Sequence, residues 1–182
     1  MKAPKNLFLF MATLCLTLFF LNCKGPRNSP KTTTVPFKAD FIGNYTHAGP
    51  DTFPNPKCVG ALSFWRAIVD GNGTGTPLGN FTVHFDFCGD SLSNYGNAYA
   101  YMVGADCDTL FVSCAGRVIE GRMDSHPSYV ISYWKDPFKI SGGTGKFKGA
   151  TGEGTTNDYN SSEDPNSHHS WTGTITMVKG EK

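Results

Sequence analysis

The sequence lacks a helical period. No stretch of ten or more residues after the first thirty repeats its apolar side chains every three to four positions, which excludes a helical bundle or an α/β core. It lacks excess charge. The net charge is +1 and charged residues make up 17% of the chain, which argues against a nucleic-acid or anionic-surface binder. It lacks a C-x-x-C pair, so none of the common zinc-ribbon spacings is present. It also lacks an apolar run long enough to cross a bilayer, which takes about 20 residues. The one long run, residues 7–21, stops short of that and is broken by Thr13, Cys15 and Thr17.

Present instead are 21 glycines and 13% aromatic residues, mostly Phe and Tyr. That mix suits many short strands joined by turns. Lys2 and Lys5 precede the apolar run, giving the charged and hydrophobic parts of an export signal. The run ends in F-L-N-C at residues 20–23, which resembles a bacterial lipobox. This predicts a signal over residues 1–22 and lipidation of Cys23; an ordinary cleaved signal is the alternative. Residues 23–36 hold three prolines and three consecutive threonines without apolar period, and read as a flexible tether. The predicted domain is 37–182. The expected location is exported and membrane-anchored in the bacterial envelope, with the membrane as partner through the lipid.

Within the domain, the first strand is expected over residues 41–46 and a second over 59–70. The D-G-N-G run at 70–73 reads as the turn from the second strand into the next, at 81–88. Phe81, Val83, Phe85 and Phe87 alternate with Thr82, His84 and Asp86. Further strands are expected at 98–103, 109–114, 129–134 and 171–177. Residues 155–170 read as a long polar excursion.

Four cysteines remain beyond Cys23: Cys58, Cys88, Cys107 and Cys114. An even set in an exported domain points to disulfides. A hairpin turning at 71–73 would bring Cys58 opposite Cys88; Cys107 and Cys114 are further candidates. No metal site is expected. His168 and His169, with Asp164, fall in the polar excursion and read as solvated, as do Asp124 and His126. His84 and Asp86 share one strand face, with Arg66 on a neighbouring strand. They would position a ligand inside a barrel, or form a solvent-facing strip opposite the Phe residues.

The densest glycine run is I-S-G-G-T-G-K-F-K-G-A-T-G-E-G at residues 140–154. It fails as a phosphate loop, because Phe147 follows Lys146 where Ser or Thr is required and no helix follows. It reads as a structural turn in which Gly143, Gly145 and Gly149 set the backbone and Phe147 plugs the core. The same run closely resembles the GGTGRFxGATGxG signature of the allene oxide cyclase barrel-like and dirigent-like β-barrels. The run from Gly73, G-T-G-T-P-L-G-N-F-T, and that from Ala105, A-D-C-D-T-L-F, are similar to two further pieces of bacterial secreted members. The resemblance implies an all-β fold, a single antiparallel barrel of about eight strands. It carries over no catalytic residue, and no cofactor is expected. The favoured expectation is a barrel that binds a small apolar ligand or envelope component without catalysis. An isomerase or cyclase on a small apolar substrate, and a purely structural envelope protein, are the alternatives.

Overall fold

The structure is a computed structural model that describes residues 31–179; the expected signal, Cys23 and most of the expected tether lie outside them. Eleven strands form one antiparallel sheet that closes on itself. In chain order they are β1 (Thr32–Gly49), β2 (Trp65–Thr76), β3 (Gly79–Gly89), β4 (Asn94–Gly104), β5 (Thr109–Arg117), β6 (Ile119–Glu120), β7 (Val130–Trp134), β8 (Pro137–Gly143), β9 (Thr151–Thr155), β10 (Asp158–Ser161) and β11 (Ser167–Val178). β1 pairs with both β2 and β11, from Thr32 opposite Val178 to Gly43 opposite Ser167. That pairing removes the exposed edges of an open sheet.

The result is a closed antiparallel barrel of eight staves, because three staves are each broken in two. β5 and β6 are separated by Val118, β7 and β8 by Lys135 and Asp136, and β9 and β10 by Thr156 and Asn157. The three breaks lie side by side, and Asp136 stitches them. The Arg117 amide donates to Asp136 Oδ2 at 3.2 Å, and the Asp136 amide donates to Thr156 Oγ1 at 3.0 Å. The Thr156 amide donates back to the Asp136 carbonyl at 2.9 Å. A side chain at position 116 would run into the Asp136 carboxyl, so Gly116 makes the room for this crease.

Alternation decides which side chains point inward. Phe37, Ala39 and Phe41 of β1, Phe81, Val83, Phe85 and Phe87 of β3, and Phe138 and Ile140 of β8 are buried. Aromatic rings interlock across the lumen. Phe138 stacks on Trp171 at 5.2 Å between centroids and meets Phe37 at 5.4 Å. The end of the barrel at which β1 begins is filled by these rings with Met102, Leu110, Phe147 and Ile175.

Several expected boundaries shift. The tether does not run to residue 36, since β1 starts at Thr32 and alternates exposed and half-buried residues from there. Pro36 is tolerated because β2 begins pairing only at Lys38, so the proline has a free side. The first strand is therefore far longer than residues 41–46. β2 starts at Trp65, and Gly60–Leu62 ahead of it is a single 3-10 turn. The D-G-N-G run is not a turn. It lies in mid-strand, where side chains at Gly71 and Gly73 would strike the carbonyls of Ile42 and Asp40; the glycines let β1 and β2 approach closely. The chain reverses instead at Pro77 and Leu78, with Leu78 buried. Residues 155–170 are also not an open excursion, because they contain β10 and the start of β11.

The glycine-rich run forms the expected structural turn. β8 ends in it, Gly145–Phe147 makes one 3-10 turn, and β9 follows. Gly145 and Gly149 have φ of +51° and +70°. A side chain at Gly143 would strike the Thr109 carbonyl and Phe147. Phe147 is fully buried.

Candidate functional site

The cavity lies at the end where β1 finishes and β2 starts. Its volume is about 310 Å³, at the lower end of the range for small-molecule sites. Tyr45, Trp65, Phe85, Phe87, Tyr95 and Trp134 supply aromatic walls, Ala67 and Val69 leave the space, and His169 reaches in from β11. Among the described residues, no lysine or arginine lines it.

Each wall residue is placed by a local device. Trp65 lies over Gly89, where any side chain would collide with the indole, and donates from Nε1 to the Asp90 carbonyl at 3.0 Å. Tyr95 donates its hydroxyl to Asp136 Oδ2 at 3.0 Å, so the crease holds the ring. Burial pushes the Asp136 carboxyl above its ordinary range, against the hydrogen bonds from Tyr95 and Arg117. Burial also pushes the Tyr95 phenol and the Cys114 thiol far up, and the negative charges of Asp136 and Asp158 add to both shifts.

Behind the wall lies a buried polar chain. Asp158 accepts from Trp171 Nε1 at 3.0 and 3.1 Å on its two oxygens and from the Ser170 amide at 3.2 Å. Its side chain is 1% exposed. His169 stacks flat on Phe41 at 4.2 Å and meets Trp134 edge-on at 5.7 Å. His169 Nε2 lies 2.8 Å from Ser167 Oγ, and Ser167 donates to the Gly43 carbonyl at 3.2 Å. A hydroxyl has one hydrogen, so Nε2 must donate to Ser167. In the neutral ring Nδ1 is then an acceptor. It sits 3.3 Å from Asp158 Oδ2 without hydrogen-bond geometry and has no other partner. The order Ser167, His169, Asp158 is that of a hydrolytic triad, but Ser167 is fully buried and its hydrogen is engaged. It is not a nucleophile open to the cavity.

His84, Asp86 and Arg66 do not face this cavity. They lie on the outer side of the sheet, opposite Phe85 and Phe87. His84 pairs with Asp70 at 2.7 Å in solvent and stacks on Tyr101. Arg66 grips Asp86 through two hydrogen bonds of 2.9 and 2.8 Å, reaches Asp51 at 3.2 Å and covers the Phe53 ring. These contacts hold the 50–64 loop against the barrel. Asp51 accepts the amides of Lys57 and Cys58 at 2.6 and 2.8 Å. Cys58 and Cys88 form the expected disulfide. The route differs from the expectation. Cys88 stands opposite Arg66 in the ladder, and the folded-back loop, not the hairpin, delivers Cys58. Cys107 and Cys114 do not pair: Cys107 is an exposed free thiol in the β4–β5 turn and Cys114 a buried one on β5.

His168 points outward onto Tyr159 and pairs with Asp164 at 2.9 Å. Among the described residues, no group of three or more His, Cys, Asp or Glu is arranged to hold a metal. His169 and Ser167 are buried, against the reading of this segment as solvated. A signal for them exists. Carrying the alternation of Trp171, Gly173 and Ile175 backwards puts His169 and Ser167 on the inner face. Asp136 continues the alternation of Trp134 and Phe138, and Asp158 that of Gly152 and Gly154, across the break in each stave.

No family model matches the sequence, and no curated protein matches it. Solved structures are similar, among them two dirigent proteins. The pterocarpan synthase dirigent protein GePTS1 aligns with a TM-score of 0.51 at 15% identity, covering 86% of this chain and 98% of that one. The pterocarpan synthase dirigent protein PsPTS1 aligns with a TM-score of 0.47 at 13% identity, covering 82% and 97%. At this distance the likeness concerns the fold, and the chain shares the closed eight-stranded barrel of the dirigent proteins.

Proposed function

We propose that the barrel binds a small apolar ligand in its mouth, as part of an exported protein anchored through a lipid on Cys23. The observation that carries the binding is the aromatic cavity of about 310 Å³, left open while the rest of the lumen is filled. The fold alone would not carry it, because one barrel hosts many functions. The open cavity counts against a purely structural role, for which a filled lumen is the expectation. The anchoring rests on the sequence of residues 1–23.

Trp65 and Trp134 line the cavity and report its occupancy. A panel of small neutral aromatics and aliphatics should quench or shift their emission saturably. Ala67→Phe fills the space from a lining position and should weaken binding at least about tenfold, at an overpacking cost of about 1 to 3 kcal/mol. Absence of saturable binding to the wild type would end this reading.

One observation favours a second reading, isomerase or cyclase chemistry: an ionisable pair, His169 and Asp158, is buried at the cavity wall. A bound ligand with an acidic C–H should then exchange it for deuterium in heavy water, and His169→Gln should abolish the exchange while keeping binding.

A further inference from the structure

We propose that the cavity selects organic ammonium cations: a small apolar body carrying one protonated amine. This deepens the ligand-binding reading above and rests on it. Three observations point the same way. The walls are the faces and edges of Tyr45, Trp65, Phe85, Phe87, Tyr95 and Trp134, with no lysine or arginine among the lining residues. Aromatic faces attract cations, by about 2 kcal/mol or more when the site is desolvated.

Two carboxylates stand directly behind that wall. Asp136 holds the hydroxyl of Tyr95, and Asp158 lies 3.3 Å from the ring of His169. Among the described residues neither has a lysine or arginine within ion-pair distance. Of basic groups among the described residues, Asp158 has only the His169 imidazole beside it, and a carboxylate without a lysine or arginine projects its field toward the cavity. The acids around the cavity register that field: the charge of Asp158 pushes up Tyr45, Tyr95 and Cys114 alike, after burial as the larger cause.

The third observation is the orphan nitrogen. His169 is 5% exposed, lines the cavity and leaves Nδ1 without a hydrogen-bond partner. With Nε2 donating to Ser167, Nδ1 of the neutral ring and Asp158 Oδ2 are two acceptors facing each other. A buried acceptor left unpaired is costly, and an ammonium N–H brought by the ligand satisfies it. A carboxylate or phosphate ligand would instead meet two like charges and no lysine or arginine among the described lining residues.

The test uses three probes of matched shape on the full chain, read by tryptophan emission. They are N,N-dimethylbenzylammonium, its neutral isostere isobutylbenzene, and the anion phenylacetate. The expected result is that the ammonium binds at least about tenfold tighter than isobutylbenzene and that phenylacetate does not bind. Asp136→Asn, which keeps the shape of the carboxyl, should narrow the ammonium preference at least about threefold. Isobutylbenzene binding as tightly as the ammonium would overturn the cation selectivity and leave the apolar receptor standing. Phenylacetate binding tighter than either would overturn the electrostatic argument outright. If none of the three binds, the receptor reading falls with it. The wild-type comparison needs no variant, so a poorly folding Asp136→Asn would not spare the proposal.

Discussion

Phe147 and Lys146 are neighbours with different environments. Phe147 is fully buried beside the closed end of the lumen. Lys146 pairs with Asp106 at 3.2 Å in solvent, and such pairs contribute little. Phe147→Ala should therefore cost about 3 to 5 kcal/mol, whereas Lys146→Ala should leave the thermal midpoint nearly unchanged; melts of both variants check the order. Asp86 supplies a pH signature. Burial pushes its carboxyl up, but the Arg66 hydrogen bonds and the Lys57 charge outweigh it, leaving the carboxyl below the ordinary value of 3.8. The folded state therefore binds the proton less readily than the unfolded chain. The stabilisation is fully present above pH 3.8 and is lost as pH falls through the lower folded value. Asp86→Asn should lower the melting temperature at pH 7, and the gap to wild type should close in strong acid. A gap that persists there would assign the loss to packing.

At the scale of elements, the 50–64 loop and the crease decide the shape of the mouth. Closing a loop of 30 residues through Cys58 and Cys88 should contribute about 3 to 4 kcal/mol in the chain-entropy model. The double Ala variant should lose that much in denaturant unfolding, and the native protein should yield the linked peptide under non-reducing digestion. Strand alternation was readable wherever it was uninterrupted, as in Phe81 to Phe87 and in Trp171 to Ile175. It failed where the backbone does something that composition hides. Gly71 and Gly73 look like a turn but serve close strand contact. Thr156 and Asp158 look like polar loop but sit inside, in phase with Gly152 and Gly154, which carry no side chain to mark the inner face. The disulfide partners were legible, and the loop that joins them was not, since loop packing depends on Asp51, Arg66 and Asp86 meeting from distant places. The aromatic part of the site was visible as residues without a common address. Alternation puts Asp136, Asp158 and His169 on the inner face, but that they meet at one wall needed the register of β7 to β11.

For the whole molecule, the closed sheet explains how a chain of modest core can leave a cavity at one end. The filled half supplies the packing, and the mouth is free to vary. The proposed anchoring is tested separately: Cys23→Ala should move the protein from the membrane fraction to the soluble exported fraction, and wild type without an acyl group by intact mass would refute lipidation. Among the described residues the lumen has one doorway, because Phe37, Phe138, Phe147 and Ile175 fill the other end. A newcomer then cannot push a resident out from behind. Exchange has to wait for spontaneous departure, so the release rate of a bound probe should stay constant however much competitor is added. Such a barrel works as a berth rather than a conduit, and its occupancy is timed by the ligand that leaves.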